Sequence, residues 1–127
     1  MKKLKKIVTI LLTATTLSIG ISGISSVSAA TTADSYSSFS WSRNGTSGSV
    51  SLKNNSGASR YVQVSFVGYN TAGTYVGNLG NEGIVSQGNS KSKSGTINYA
   101  SSMTFSGYLY AGTSPVGTPL SYWSKSV

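Results

Sequence analysis

Side-chain catalysis usually starts from imidazole, thiolate or paired carboxylates, and this chain of 127 residues is poor in all three. It holds no His and no Cys, and its acidic residues are Asp34 and Glu82 alone. The missing imidazole removes the commonest general base, the Ser-His-Asp arrangement and most zinc sites together. A two-carboxylate glycosidase would need Asp34 and Glu82 firmly held and facing each other, yet Asp34 falls in a polar stretch that reads as a loose leader. Ser90-Lys91-Ser92-Lys93 has the Ser-x-x-Lys spacing of some acylated serine enzymes. Those enzymes set the pair at a helix start, whereas this run has no helical periodicity. The expectation is a non-catalytic protein without metal or cofactor.

Binding chemistry is better supplied. Strand alternation turns Tyr61, Tyr69 and Tyr75 away from the face carrying Val62, Val64 and Phe66, and turns Tyr108 and Tyr110 away from Met103, Phe105 and Leu109. Tyrosines on an outer sheet face offer an apolar ring and a polar tip, suited to stacking on sugar rings or sitting at a lipid interface. The plainer reading is that Tyr favours strands and shields half-exposed sheets. Arg43, Lys53, Arg60, Lys91 and Lys93 add positive charge in predicted loops and edges, where anionic polymers bind or where charge simply keeps the surface soluble. Trp41 and Trp123 read as core residues.

The elements that must position these groups are short strands. Arg60 to Val67 alternates cleanly, Asn70-Thr71-Ala72-Gly73 is a turn, and Thr74 to Val76 returns with Tyr69 opposite Tyr75 and Gly68 opposite Val76. Earlier, Phe39 and Trp41 alternate with serines and meet Asn44-Gly45. A two-residue loop there sets Arg43 against Thr46, Phe39 against Val50 and Trp41 against Gly48. Beyond Val76 the pattern loosens until Ile84-Val85, a short strand ending at Gln87-Gly88-Asn89. Ser90 to Gly95 is a loop or an edge strand guarded by lysines. Thr96 to Tyr99, Met103 to Tyr110 and Thr118 to Trp123 supply further strands. Turn signals recur every eight to twelve residues, and no helical periodicity follows residue 30. The fold class is all-β, a small antiparallel β-sandwich of six to eight strands, with a closed barrel as the competing arrangement.

The N-terminus is of a different kind. Met1-Lys-Lys-Leu-Lys-Lys6, an apolar run from Ile7 to Ile24 and Val27-Ser28-Ala29-Ala30 have the form of a cleaved export signal, with the cut after Ala29 or Ala30. The organisation expected is a signal peptide over 1–30, a flexible leader over 31–37 and one domain over 38–127, secreted from a Gram-positive bacterium. The net charge of +8 includes four lysines of the signal. Beyond it, Arg43, Lys53, Arg60, Lys91, Lys93 and Lys125 stand against Asp34 and Glu82, so the domain stays cationic. With no Cys, its stability rests on packing and backbone pairing.

Val50-Ser-Leu-Lys-Asn-Asn-Ser-Gly57, Tyr61-Val-Gln-Val-Ser-Phe66, Phe66-Val-Gly-Tyr-Asn70, the turn residue Gly73 and Val85-Ser-Gln-Gly-Asn-Ser90 resemble the FxLYD-type domains, immunoglobulin-like sandwiches of bacterial extracellular proteins. Gly68 stands where that signature has Leu, and Asn70 where it has Asp. The similarity covers about half of the mature chain and implies a surface or binding module. The expected role is a secreted, cationic, non-catalytic β-sandwich that binds a cell-surface or extracellular polymer. Its partner would be an anionic wall polymer, a glycan or a membrane surface, and no specific nucleic acid. A bacteriocin-like or pore-forming antimicrobial is the alternative.

Overall fold

The computed structural model describes residues 27–127, so the expected export signal lies almost wholly outside the described residues. Eight antiparallel strands form two sheets. They are β1 (Val27–Ala33), β2 (Ser37–Asn44), β3 (Ser47–Asn54), β4 (Arg60–Tyr69), β5 (Tyr75–Val85), β6 (Ser90–Thr96), β7 (Ser102–Leu109) and β8 (Ser121–Ser126). One sheet has the order β1-β2-β3-β6 and the other β5-β4-β7-β8, an open sandwich rather than a closed barrel.

Period-two alternation decides what lies between the sheets. Phe39 and Trp41 from β2, Val50 and Leu52 from β3, Val62, Val64 and Phe66 from β4, and Met103, Phe105 and Leu109 from β7 are all buried. Phe105 sits at the centre, its ring 5.3 Å from Phe66 and 5.5 Å from Trp41. Trp123 stacks on Phe39 at 6.1 Å and donates from its indole nitrogen to Ser37 Oγ at 2.9 Å. Glycines make the room these rings need: a Cβ on Gly107 would lie 2.9 Å from Phe39, and one on Gly48 2.9 Å from Phe66.

A buried asparagine holds the corner where the chain leaves β3 for the other sheet. Asn54 is fully buried; its amide donates to Ala58 O (2.8 Å) and Val85 O (2.9 Å), and its Oδ1 accepts from Ser56 N and Oγ. Every polar atom of that side chain is thus satisfied without water, and the Asn54-Asn-Ser sequence is a structural corner.

Several sequence expectations are corrected. The leader expected to be flexible over 31–37 is tied down: β1 pairs with β2 from Val27↔Asn44 to Ala33↔Ser38, and Asp34 follows it as an anchor. The Asp34 carboxylate accepts from Tyr36 N (2.8 Å), Ser37 N (2.9 Å) and, through both oxygens, from Ser121 Oγ. β1 also runs through both expected cleavage positions, Ala29 and Ala30. In the β2–β3 hairpin the register slides by two: Arg43 faces Gly48, Trp41 faces Val50 and Phe39 faces Leu52. The loop is Gly45-Thr46, because Gly45 takes φ 62° at the first turn position and Asn44 does not need a positive φ. In the β4–β5 hairpin Tyr69 does face Tyr75, but a bulge then sets Gly68 against Gly77 instead of Val76. The loosened region after Val76 is one continuous strand to Val85, held by its ladder to β4. Of the strand expected over Thr96 to Tyr99, Thr96 ends β6 and the rest is a turn: Tyr99 has φ 70° and is 83% exposed, while Ala100 N bonds to Ile97 O at 3.2 Å.

Candidate functional site

The outer side of the β5-β4-β7-β8 sheet gathers the aromatic residues. Register aligns Glu82, Gln63, Tyr108 and Tyr122 in one row across all four strands, each turned away from the core. Beside it, Tyr61 and Ile84 face each other on β4 and β5, and Tyr110 N bonds back to Tyr61 O at 2.9 Å. On the other flank, Gly80, Ser65, Ser106 and Ser124 form a row of small residues. The step from rings to small residues leaves a hollow of about 350 Å³ lined by Gln63, Ser65, Gly80, Asn81, Glu82 and Tyr108.

The rings touch in sequence beside this hollow, and Tyr108 is the one that lines it. Tyr61 meets Tyr110 edge-on at 6.3 Å, Tyr110 stacks with Tyr108 at 6.2 Å, and Tyr108 lies 4.8 Å from Tyr122. Polar atoms fix their orientation: Tyr110 Oη donates to Gln63 Oε1 at 3.0 Å, and Gln63 Nε2 donates to Glu82 Oε1 at 2.7 Å. Desolvation, and then the nearby Glu82 charge, push the Tyr61 phenol above its ordinary value. Desolvation and then Tyr122 do the same for Tyr108. Both phenols stay neutral hydrogen-bonding groups at physiological pH. The Tyr108 ring, with the amide, hydroxyl and carboxylate groups that line the same shallow hollow, can stack on a ring and bond to its substituents.

Of the residues expected to bind, the structure unites Tyr61, Tyr108 and Tyr110. Tyr69 lies on the same face, but eight residues along β4 from Tyr61, about 26 Å away at the usual strand rise. Tyr75 is beyond the bulge, its hydroxyl donating to Asn78 Oδ1 at 3.0 Å. The basic residues do not join this face. Arg43 is spent on carbonyls, donating to Gly45 O (2.8 Å) and Val127 O (2.9 Å), which clamps the C-terminal end against β2. Arg60 donates to Ser56 Oγ and to Ala111 O. Lys91 and Lys93 face Leu52 and Val50 across β3–β6, so they stand on the core-facing side of an edge strand. Lys53 points outward from the first sheet, beside a surface of paired hydroxyls such as Ser51–Ser92 at 2.8 Å. By register Ser90 and Lys93 point to opposite sides of β6, which leaves the Ser-x-x-Lys spacing no pair to work with.

Sequence reasoning missed Tyr122, Gln63 and Glu82 as members of this cluster. Gln63 was legible as a residue on the Tyr61 side of its strand. Glu82 was not, because its facing depends on the bulge that lengthens β5 by one residue. Among the described residues, no group of three acidic side chains can hold a metal ion.

Fold and face together define an all-β protein of two four-stranded antiparallel sheets. No protein-family model matches the chain, and no curated protein matches it. Among solved structures it is similar to a Bacteroides uniformis beta-glucuronidase, at TM-score 0.45 and 12% identity over 79% of this chain and 12% of that one. It is also similar to Bacteroides uniformis beta-glucuronidase 2 covalently bound to cyclophellitol-6-carboxylate aziridine, at TM-score 0.44 and 12% identity over 79% and 12%. A beta-glucuronidase from glycoside hydrolase family 2 follows at TM-score 0.42 and 5% identity, over 85% of this chain and 11% of that one. The chain spans about an eighth of the length of these enzymes.

Proposed function

We propose that this protein is a non-catalytic, secreted binding module that holds a glycan against the tyrosine face of its β5-β4-β7-β8 sheet. The observation that carries this reading is the aligned row Glu82–Gln63–Tyr108–Tyr122 beside a hollow of about 350 Å³. Tyr108 at the edge of a polar hollow, continued along the face by Tyr110, Tyr61 and Tyr122, gives a sugar both apolar stacking and hydrogen-bond partners, and the neighbouring strands hold these rings without a ligand. Secretion rests on the form of residues 1–30, and the non-catalytic role on the absence of His and Cys. The anionic-polymer form of the expectation has weaker support, since Arg43 and Arg60 are engaged with backbone carbonyls and the lysines stand on other surfaces.

The test is sedimentation of the purified protein with insoluble polysaccharides, bacterial walls and liposomes. Retention on a polysaccharide that is lost in Tyr108→Ala/Tyr122→Ala and kept in Lys91→Gln/Lys93→Gln supports the reading, provided both variants keep a β-rich circular dichroism spectrum. Retention that follows the lysines instead, or lysis of liposomes and loss of viability of Gram-positive cells, overturns it in favour of an anionic polymer or an antimicrobial role.

A further inference from the structure

The charge on the tyrosine face is opposite in sign to that of the domain as a whole. Register turns none of the described basic residues to this side: Arg43, Arg60, Lys91, Lys93 and Lys125 lie opposite core-facing positions, and Lys53 points out from the other sheet. Glu82 is the carboxylate that faces the hollow. It is exposed and forms no ion pair among the described residues; Gln63 Nε2 occupies Oε1 at 2.7 Å. An ionised carboxylate offers about four acceptor positions, so this one keeps capacity for a donor from outside. The chain of rings through Tyr61, Tyr110, Tyr108 and Tyr122 stands beside it, and the negative faces of aromatic rings attract cations as well.

We infer, resting on the glycan-binding reading above, that the sugar taken by this face carries a free, protonated amine, and that Glu82 is the residue that selects it. The ring of an amino sugar stacks on the tyrosines while its ammonium group bonds to the Glu82 carboxylate. N-acetylation removes the positive charge and leaves an amide, which forms a weaker, uncharged bond there. An acidic sugar meets repulsion from the same carboxylate. The Lys91 ammonium reaches β5 from the core-facing side, about 3.0 Å from where a Cβ on Gly83 would lie, but it forms no ion pair with the outward-facing Glu82.

Binding of a glucosamine tetramer, its fully N-acetylated counterpart and choline, measured by calorimetry at pH 6, tests the inference. The amine-bearing tetramer should bind about tenfold more tightly than the acetylated one, the scale of one added charge-assisted hydrogen bond. Glu82→Gln should bring the two within about twofold. Equal or tighter binding of the acetylated tetramer, or a preference that survives Glu82→Gln, overturns the inference and leaves the glycan-binding reading standing. Choline binding as tightly as the amino sugar also overturns it, because the site would then read a cation without the sugar. If neither tetramer binds, or if Tyr108→Ala/Tyr122→Ala changes neither affinity, the glycan-binding reading falls and the inference with it.

Discussion

Single residues in this protein carry unusual weight where a polar group is buried or a ring is crowded. Asn54 is fully buried with its donors on Ala58 O and Val85 O. Asn54→Ala strands those carbonyls and should cost about 2–3 kcal/mol, read as a shift in urea midpoint at unchanged slope. Arg43→Ala should cost about 1–3 kcal/mol, because its carbonyl partners at Gly45 and Val127 lose a charged donor. Tyr61 and Tyr108 both titrate above the ordinary value in the fold. Their unfolded forms ionise first as pH rises, so the stability tied to these phenols is complete below about pH 10 and is lost above it. Thermal unfolding followed from pH 8 to 11.5 should therefore show a falling midpoint that flattens in Tyr61→Phe/Tyr108→Phe. The alternation that turns Tyr61, Tyr108 and Tyr110 outward was legible in the sequence, because a period of two needs no partner to be read. That Tyr69 and Tyr75 lie apart from them was not, since it depends on distance along a strand and on a bulge.

At the scale of elements, the strand pairings depend on a few backbone positions. Gly45 sits at φ 62° in the β2–β3 turn, where an L-residue is strained. Gly45→Ala should cost about 1–2 kcal/mol and raise amide exchange at the end of β2 and the start of β3 before that of β4. Gly107 is a different case, set by space between the sheets: its added Cβ would meet Phe39 at 2.9 Å. Gly107→Ala should cost about 1–3 kcal/mol and disturb near-ultraviolet dichroism, because Phe39 stacks on Trp123. The Asn44-Gly45 signal located the hairpin but misplaced its register by two residues. Both registers bury Phe39 and Trp41, so periodicity could not separate them. The turn conformation of Gly45 does.

For the whole molecule, the separation of charge from aromatic surface is what matters. A cationic domain keeps its basic residues off the tyrosine face, so binding of an uncharged glycan there should change less than about twofold between 0.05 and 0.5 M salt, whereas weak adsorption through Lys53, Lys91 and Lys93 should fall steeply. Sedimentation across that salt range distinguishes the two surfaces. The sequence by itself determined that the domain is all-β, which side of the Val62 and Met103 strands is buried, and that no imidazole or thiol is present. Those properties are local, written in alternation and composition. Which strands become neighbours, and hence that Glu82 and Gln63 join Tyr108 and Tyr122 while Arg43 and Arg60 turn to backbone carbonyls, was decided only by the tertiary structure. Contacts between β5, β4, β7 and β8 join residues far apart in the chain, and their register is set by turns, a bulge and the packing of rings between two sheets.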